Sequence, residues 1–349
     1  MIIRKILLIR TDRIGDVVLT TPAISILRKQ YPQAEIYFLT RAYTAPLLKH
    51  YEFLDKIMIY DPLEKHRGLA GHIKFARELK TKNIDLAFLF HPQAGLAFAL
   101  KWAGITHRVG SGYRWYSIFL NHRVFEHRKH GLRHELEYNL SLIKTFVNVN
   151  PKPDEIQFSF RYDENLKKLQ NNALNALQIN SNYAIVHPGS GGSAPRLSSE
   201  MFGRIVKYIS ENSDLKIILS GSGNEKYLLD EIEQLCGNIP VIKTAGKWNL
   251  ETYMAVIAGC RLFISNSTGP LHIARAYNIP LVAFYCPAIP CSPRRWGPYN
   301  QLDSVLIPSV KPCKDCKPEK CPYGNCLDKI SWEDIKALLD KKIKTTGSS

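Results

Sequence analysis

The chain has 349 residues, 45% hydrophobic and 22% charged, with 47 Lys+Arg against 31 Asp+Glu. That length suits two domains, and the composition is that of a globular protein with a sizeable core and no low-complexity segment. The formal net charge of +16 implies acidic partners: nucleic acid, an anionic membrane surface or phosphorylated substrates.

In chain order, strand patterns at 5–10, 35–40, 56–60 and 84–90 alternate with helical patterns at 16–30, 42–50 and 68–80. The strands are near-continuous apolar runs, as expected for a parallel sheet covered on both faces. Basic residues thicken between His107 and His134 (Arg108, Arg114, Arg123, Arg128, Lys129, Arg133), with Tyr113, Trp115 and Tyr116 among them. This stretch reads as a solvated basic face with ordinary core aromatics, or as a site for an anionic acceptor. Residues 148–157 are polar and proline-rich and mark a domain boundary. A polar helix at 164–177 follows. Strands at 183–187, 215–219, 241–242, 262–264 and 281–285 then alternate with helices at 199–211, 225–235, 250–258 and 271–277. A closing helix at 332–344 opens with Ser331 as N-cap and Asp334 three residues on. The expected architecture is α/β, with two doubly wound halves. Ligands in such sheets bind at the carboxyl ends of the strands, so the expected site is a cleft between the halves.

No run approaches the roughly 18 apolar residues that span a bilayer. The apolar run after Arg4 and Lys5 is ended by Arg10, Asp12 and Arg13, too soon for a signal peptide. A cytoplasmic protein is expected, with peripheral attachment to an inner membrane face left open by its charge.

Four turns carry chemistry. Gly15-Asp16 puts a carboxylate at the end of the first strand, where it serves either as a general base or as a first-turn helix residue. Asp12 and Arg13 are neighbouring alternatives. The loop from His187 to Arg196 contains Ser190, Gly191 and further small residues that open the backbone to an anion, with Arg196 as a fixed charge. It is not a Walker A loop. Ser220-Gly221-Ser222-Gly223-Asn224-Glu225 half-resembles a dinucleotide fingerprint, and Glu225 either accepts from a ribose or begins a helix. Ser267-Thr268-Gly269-Pro270 then leads into a helix with His272 in its first turn, a ready phosphate site. No D-x-D, G-x-S-x-G or H-E-x-x-H occurs.

Of eight cysteines, Cys236 and Cys260 read as core residues. Cys313, Cys316, Cys321 and Cys326 form C-x2-C-x4-C-x4-C, after Cys286 and Cys291. Zinc is considered, but the spacing is cramped for a ribbon and Lys314, Lys317 and Lys320 interleave. A compact loop with reduced thiols, or a disulfide, is the preferred reading over a bound metal.

Residues 6–22 (I-L-L-I-R-T-D-R-I-G-D-V-V-L-T-T-P), 187–194 (H-P-G-S-G-G-S-A) and 265–274 (S-N-S-T-G-P-L-H-I-A) resemble, in order and separation, glycosyltransferase family 9, the lipopolysaccharide heptosyltransferase family. The cysteine tail also looks like that of many members. The resemblance covers nearly the whole chain. It implies a GT-B fold and inverting, metal-independent transfer from a nucleotide-activated sugar, commonly ADP-heptose, to the lipid A-linked inner core. No cofactor is required beyond the donor.

By motif position, Asp16 matches the family's proposed base and Thr268, Gly269 and His272 match its diphosphate-binding helix start. Glu225 lies near its ribose-binding acidic residue. Arg196 would offset the leaving diphosphate. Gly15, Ser190, Gly191, Ser220, Gly221, Ser267 and Pro270 complete the expected donor site, and Arg13, Arg108, Arg114 and Arg123 the acceptor site. The family's usual D-T-G is Ser267-Thr268-Gly269 here, and Pro195 replaces its usual lysine. Those departures leave a GDP- or UDP-sugar donor for surface polysaccharide as the alternative. A nicotinamide-dependent oxidoreductase and a basic nucleic-acid-binding protein are the readings from other classes. Expected domains are 1–155 for acceptor, 156–330 for nucleotide-sugar with the cysteine loop, and 331–349, a helix and tail packing back on the first.

Overall fold

The structure, a computed structural model, describes residues 2–192, 194–313, 316 and 321–346. It divides into two compact units: Met1–Arg128 with Glu135–Arg161, and Lys129–His134 with Tyr162–Ser349.

The first unit runs β1 (Lys5–Ile9), α1 (Ile14–Val18), α2 (Pro22–Gln30), β2 (Glu35–Thr40), β3 (Lys56–Ile59), α3 (Gly68–Lys80), β4 (Leu86–Leu89), α4 (Ala94–Trp102), β5 (His107–Ser111), β6 (His122–Val124) and α5 (Glu135–Ile143). The second runs α6 (Glu164–Asn175), β7 (Tyr183–His187), α7 (Ser199–Asn212), β8 (Lys216–Leu219), α8 (Lys226–Cys236), β9 (Val241–Lys243), α9 (Leu250–Ala258), β10 (Leu262–Asn266), α10 (Gly269–Ala276), β11 (Leu281–Phe284), α11 (Pro293–Trp296), β12 (Val305–Leu306) and α12 (Trp332–Thr346).

Among the described residues each unit has one parallel sheet, ordered β3-β2-β1-β4-β5-β6 and β12-β11-β10-β7-β8-β9. The two orders are the same doubly wound pattern. In each, the connections reverse direction beside the first strand, leaving a crevice at the carboxyl ends of β1 and β4 and of β7 and β10. Helices on both faces explain the apolar strands: Ile6, Leu7, Leu8 and Ile9 are wholly buried, as are Leu262, Phe263 and Ile264. Helix α7 buries Phe202, Ile205, Val206 and Ile209 at helical spacing, each such burial contributing roughly 1.5–3 kcal/mol.

Several expectations shift. The helix expected at 16–30 is two. The Thr20 and Thr21 hydroxyls bond back to the carbonyls of Asp16 and Val18 at 2.8 Å, and Pro22 restarts the helix in its first turn. The segment expected as a helix at 42–50 forms a single 3-10 turn, Ala45–Leu48. The basic stretch conceals β5 and β6, whose His and Arg residues mask short edge-side strands.

The unit boundary falls after Arg161, not at 155. A bridge pairs Tyr51 with Phe160, and the Arg161 N–H donates to the His50 carbonyl (2.9 Å), tying this segment to the first unit. The closing helix α12 packs on the second unit. Ile335, Leu338 and Leu339 join the core of the second, and Trp332 lies under the Arg204 guanidinium, 4.3 Å away.

Candidate functional site

In the second unit, Ser265 pairs with His187, so the loops leaving β10 and β7 start level with each other. Asn266 clamps them. Its Nδ2 donates to the Pro188 carbonyl (2.7 Å), and its Oδ1 accepts from Leu197 N–H (2.9 Å), across the base of the expected anion loop. The loop after β8 joins through Glu225. Oε2 accepts from both Ser222 N–H and Ser222 Oγ at 2.8 Å, and Oε1 from Gly191 N–H at 3.5 Å. Gly189 makes room for this carboxylate, since a Cβ on it would stand 2.1 Å from Glu225 Oε1 and displace that side chain's end. Burial disfavours the Glu225 charge, yet the Ser222 bonds and His187 outweigh it and hold the carboxyl below its ordinary value.

Thr268 precedes α10 without capping it by its side chain, and Pro270 lies in the first turn. The helix's leading N–H groups, at Gly269, Leu271 and His272, therefore carry no cap from this residue. His272 is buried, and its Nδ1 has no hydrogen-bond partner. Burial, reinforced by His134, pushes it down to about 3, so it is neutral near pH 7 and offers a hydrogen bond rather than a charge. His134 is fixed by a 2.9 Å bond to the Gly297 carbonyl.

Ser267 is half-buried, its N–H donating to the Phe284 carbonyl (3.1 Å). Ser190 is buried and Gly191 exposed, at positive φ. Gly221 lies against Glu225 and Leu229. Ser220 does not open to a ligand. It is buried, with its hydroxyl engaged by His187 Nδ1 (3.1 Å) and Tyr253 Oη (2.7 Å). Arg196 is exposed, donates to Tyr227 Oη (2.9 Å) and stacks over that ring.

In the first unit, Gly15 is buried and Arg13 exposed, and Asp16 stands in α1 just past β1. The Arg10 guanidinium organises the site. It pairs with Asp16, with Asp12 (2.7 Å) and with Glu135 (3.4 Å), and also bonds Asn139 Oδ1 (3.2 Å). Arg128 closes the network on Glu135 at 2.6 Å. Burial opposes the Arg10 charge, but Asp12, Asp16 and Glu135 outweigh it and raise its pKa. For Asp16, burial is the largest influence; Arg10 opposes it and Asp12 and Glu135 add to it. The outcome is a carboxyl raised to about 6. That is a value suited to proton abstraction near neutrality. Gln93 donates to Thr11 Oγ1 (3.1 Å), and His91 Nδ1 stands 3.9 Å from Asp12.

The expected acceptor arginines separate. Arg108 pairs level with Ala87 in mid-sheet, and its guanidinium is spent on the carbonyls of Ile105, Thr106 and Phe119. Those carbonyls precede or follow β5 at its amino end, so Arg108 is a structural clamp away from the crevice. Arg114 and Arg123 are exposed, near exposed Tyr113, Trp115, Ile118 and Phe125. Arg10, Glu135, Asn139 and Asn266 were not singled out by motif. The sign for Arg10 and Asn266 was a polar residue closing an apolar strand; Glu135 had none.

Two parallel six-stranded Rossmann-like units define the GT-B fold class. The family model for glycosyltransferase family 9 (heptosyltransferase) matches residues 72–327, and the chain belongs to that family. A Haemophilus influenzae protein named as a glycosyltransferase is 31% identical over 312 residues, covering 86% of this chain and 88% of its own. Lipooligosaccharide heptosyltransferase 2 of Campylobacter jejuni is 24% identical over 327 residues, covering 92% and 93%. Among solved structures, E. coli ADP-heptose lps heptosyltransferase II superposes with a TM-score of 0.78 at 22% identity, over 99% of this chain and 100% of that one. The protein is thus a glycosyltransferase of the lipopolysaccharide heptosyltransferase family. No helix among the described residues is long and apolar enough to cross a membrane.

Proposed function

We propose that this protein transfers a heptose, with inversion, from ADP-heptose to an anionic lipid-linked core saccharide, and that the transfer needs no metal. The observation that carries this reading is the carboxyl end of the second unit's sheet, where an α10 start without a side-chain cap, a buried neutral His272 with an unpartnered Nδ1, and the Glu225-pinned glycine loop lie at the ends of neighbouring strands. That arrangement suits a nucleoside diphosphate: N–H groups and a helix dipole for the diphosphate, a carboxylate for a ribose hydroxyl.

The first unit would take the acceptor and the second the donor. Asp16 takes the proton of the acceptor hydroxyl as its oxygen bonds to the anomeric carbon. The bond from that carbon to the diphosphate oxygen breaks on the opposite face, and ADP departs with its charge against the α10 N–H groups and Arg196. Arg114 and Arg123 would meet acceptor phosphates, and the exposed Trp115, Ile118 and Phe125 beside them support peripheral contact with the inner membrane's cytoplasmic face. Ser267 favours a second reading, a GDP- or UDP-sugar donor, because it brings no carboxylate to the sugar.

The test is turnover of purified protein with ADP-heptose and a heptose-deficient lipopolysaccharide, with and without EDTA, alongside thermal shifts with ADP, GDP and UDP. Transfer unaffected by EDTA and abolished in Asp16→Ala, with ADP binding retained, is expected. Wild-type turnover in Asp16→Ala removes Asp16 as base, and a shift with GDP or UDP in place of ADP moves the donor.

A further inference from the structure

The loops leaving β1 and β2 carry a second group of side chains beside Asp16. Ile9 pairs with Leu39, so the two loops start level with each other at the carboxyl end of the sheet. The β2 loop turns at once. The Arg41 carbonyl accepts from the N–H groups of Thr44 (3.1 Å) and Ala45 (3.0 Å), and the buried Thr44 hydroxyl bonds Thr40 Oγ1 at 2.7 Å. That turn holds Tyr43 as an exposed ring. Its hydroxyl donates to the Asp12 carbonyl and joins the two loops, and the Arg41 guanidinium lies 5.8 Å from its ring centre. The charges of Asp12, Arg41, Asp16 and Arg13 all act on the Tyr43 hydroxyl, which places the ring among them.

Charge is unbalanced here. The Asp12 and Asp16 carboxylates are already paired with Arg10. Arg13 is exposed and Arg41 half-buried, and among the described residues no ion pair or side-chain hydrogen bond takes up either guanidinium. Arg41 meets only the Tyr43 ring. Arg10, Arg28, Arg108 and Arg128, by contrast, spend theirs on carboxylates or carbonyls. A tyrosine acting only as a brace between two loops would need its hydroxyl, not a pair of unspent cations around it. An exposed aromatic ring suits the apolar C–H face of a sugar, and guanidinium forks suit a planar carboxylate or a phosphate.

We propose that Tyr43, Arg41 and Arg13 form the subsite for the acceptor sugar that carries the attacking hydroxyl: its ring lies on Tyr43, and the two arginines hold an anionic substituent of that same sugar. The assignment rests on the reading of Asp16 as base and seats the sugar beside it. Arg10 is committed to its own carboxylates, so the substrate's charge falls to Arg13 and Arg41. Holding the sugar by face and by charge together aims one hydroxyl at Asp16 and removes part of the cost of alignment. A neutral sugar keeps the face contact alone, so these loops select an acidic or phosphorylated sugar over an uncharged one. Arg114 and Arg123 belong to β5 and β6 at the other end of the sheet, and would meet charges elsewhere on the acceptor.

The experiment is calorimetric binding, without donor, of the deacylated saccharide from a heptose-deficient lipopolysaccharide to the full chain, with turnover measured alongside. Arg13→Gln and Arg41→Gln should each weaken saccharide binding about 10- to 100-fold, the effect of losing a hydrogen bond to a charged group. Tyr43→Ala should weaken it about 2- to 10-fold, and Tyr43→Phe, which keeps the ring, by less. ADP binding should not change in any of these variants. Treated saccharides identify the anion, one dephosphorylated and one with its carboxyls methyl-esterified. At least one should bind the wild type as weakly as the untreated saccharide binds Arg41→Gln, and should no longer distinguish the two proteins. No saccharide binding by the wild type, unchanged binding in both arginine variants, or a gap between wild type and Arg41→Gln that neither treatment narrows overturns the subsite. Equal losses in Tyr43→Phe and Tyr43→Ala overturn the ring's part in it. Should Arg41→Gln fail to fold, Arg41→Lys takes its place, with weaker binding and a gap that the treatments narrow expected of it too. Failure of the transfer reading shows differently: saccharide binding follows the expected pattern while no nucleotide-activated heptose supports turnover.

Discussion

Replacing Arg10 by Gln keeps a hydrogen-bonding side chain at the centre of the first unit's network but removes its charge. Asp16 then loses the Arg10 charge and hydrogen bond that lower its pKa, while burial, Asp12 and Glu135 continue to raise it. A neighbouring arginine lowers a carboxyl by about 1–3 units, so Asp16 should move from about 6 to roughly 7–9. At pH 7 the ionised fraction would fall from about 90% to between about 50% and 1%, and kcat/KM by about 2- to 90-fold. The assay is the pH dependence of kcat/KM with subsaturating acceptor. The wild type should show an acid limb near 6, and Arg10→Gln one displaced to higher pH, with activity returning as pH rises. An acid limb unchanged or displaced downward refutes the reasoning. Stability follows the same ionisation. Because the folded pKa lies above the ordinary 3.8, this group's contribution is complete below 3.8 and is lost as pH rises through about 6. In the variant that loss should extend to higher pH, on top of an overall destabilisation of roughly 3–5 kcal/mol from stripping a buried partner. Denaturant unfolding across pH 4–9 checks both.

Arg114→Glu and Arg123→Glu should raise acceptor KM with donor KM unchanged, whereas Arg108→Glu should lower the melting temperature, since its guanidinium braces backbone carbonyls; kinetics and calorimetry on the three variants separate the roles. Gly189→Ala should push Glu225 aside, because the new methyl would meet its carboxylate. Losing a hydrogen bond to a charged group costs roughly 1.5–3 kcal/mol, or about 10- to 100-fold in donor KM, and acceptor KM should not move. Phe202→Ala empties a wholly buried position packed edge-to-face on Phe284 at 6.0 Å and should cost about 3–5 kcal/mol in chemical denaturation, read from the second unit's transition.

The doubly wound halves were legible in the sequence because strands covered on both faces must be apolar throughout, as 5–10, 183–187 and 262–264 are. The turns at Gly15-Asp16 and Thr268-Gly269 were legible because small residues between strand and helix leave backbone N–H groups without a covering side chain. Strands β5 and β6 were not, since His107, Arg108, His122 and Arg123 hide the apolar signal along short strands near the sheet edge. Nor was the division of labour among arginines. Arg108, Arg114 and Arg123 look alike in a basic stretch, and only the folded chain separates a clamp bonded to backbone carbonyls from two exposed cations.

Residue chemistry and spacing along the chain determined the family, the strand–turn–helix units and the identity of Asp16 and His272. Tertiary structure decided their states. Asp16 is raised by burial, held by Arg10 and influenced by Glu135, more than a hundred positions later in the chain, and Cys286 meets Cys316 only because β11 and the tail pack on one core. Spacing reports what a residue can do within its own turn or strand. Burial and charge neighbours from distant segments set whether it does so, and those are fixed by packing alone.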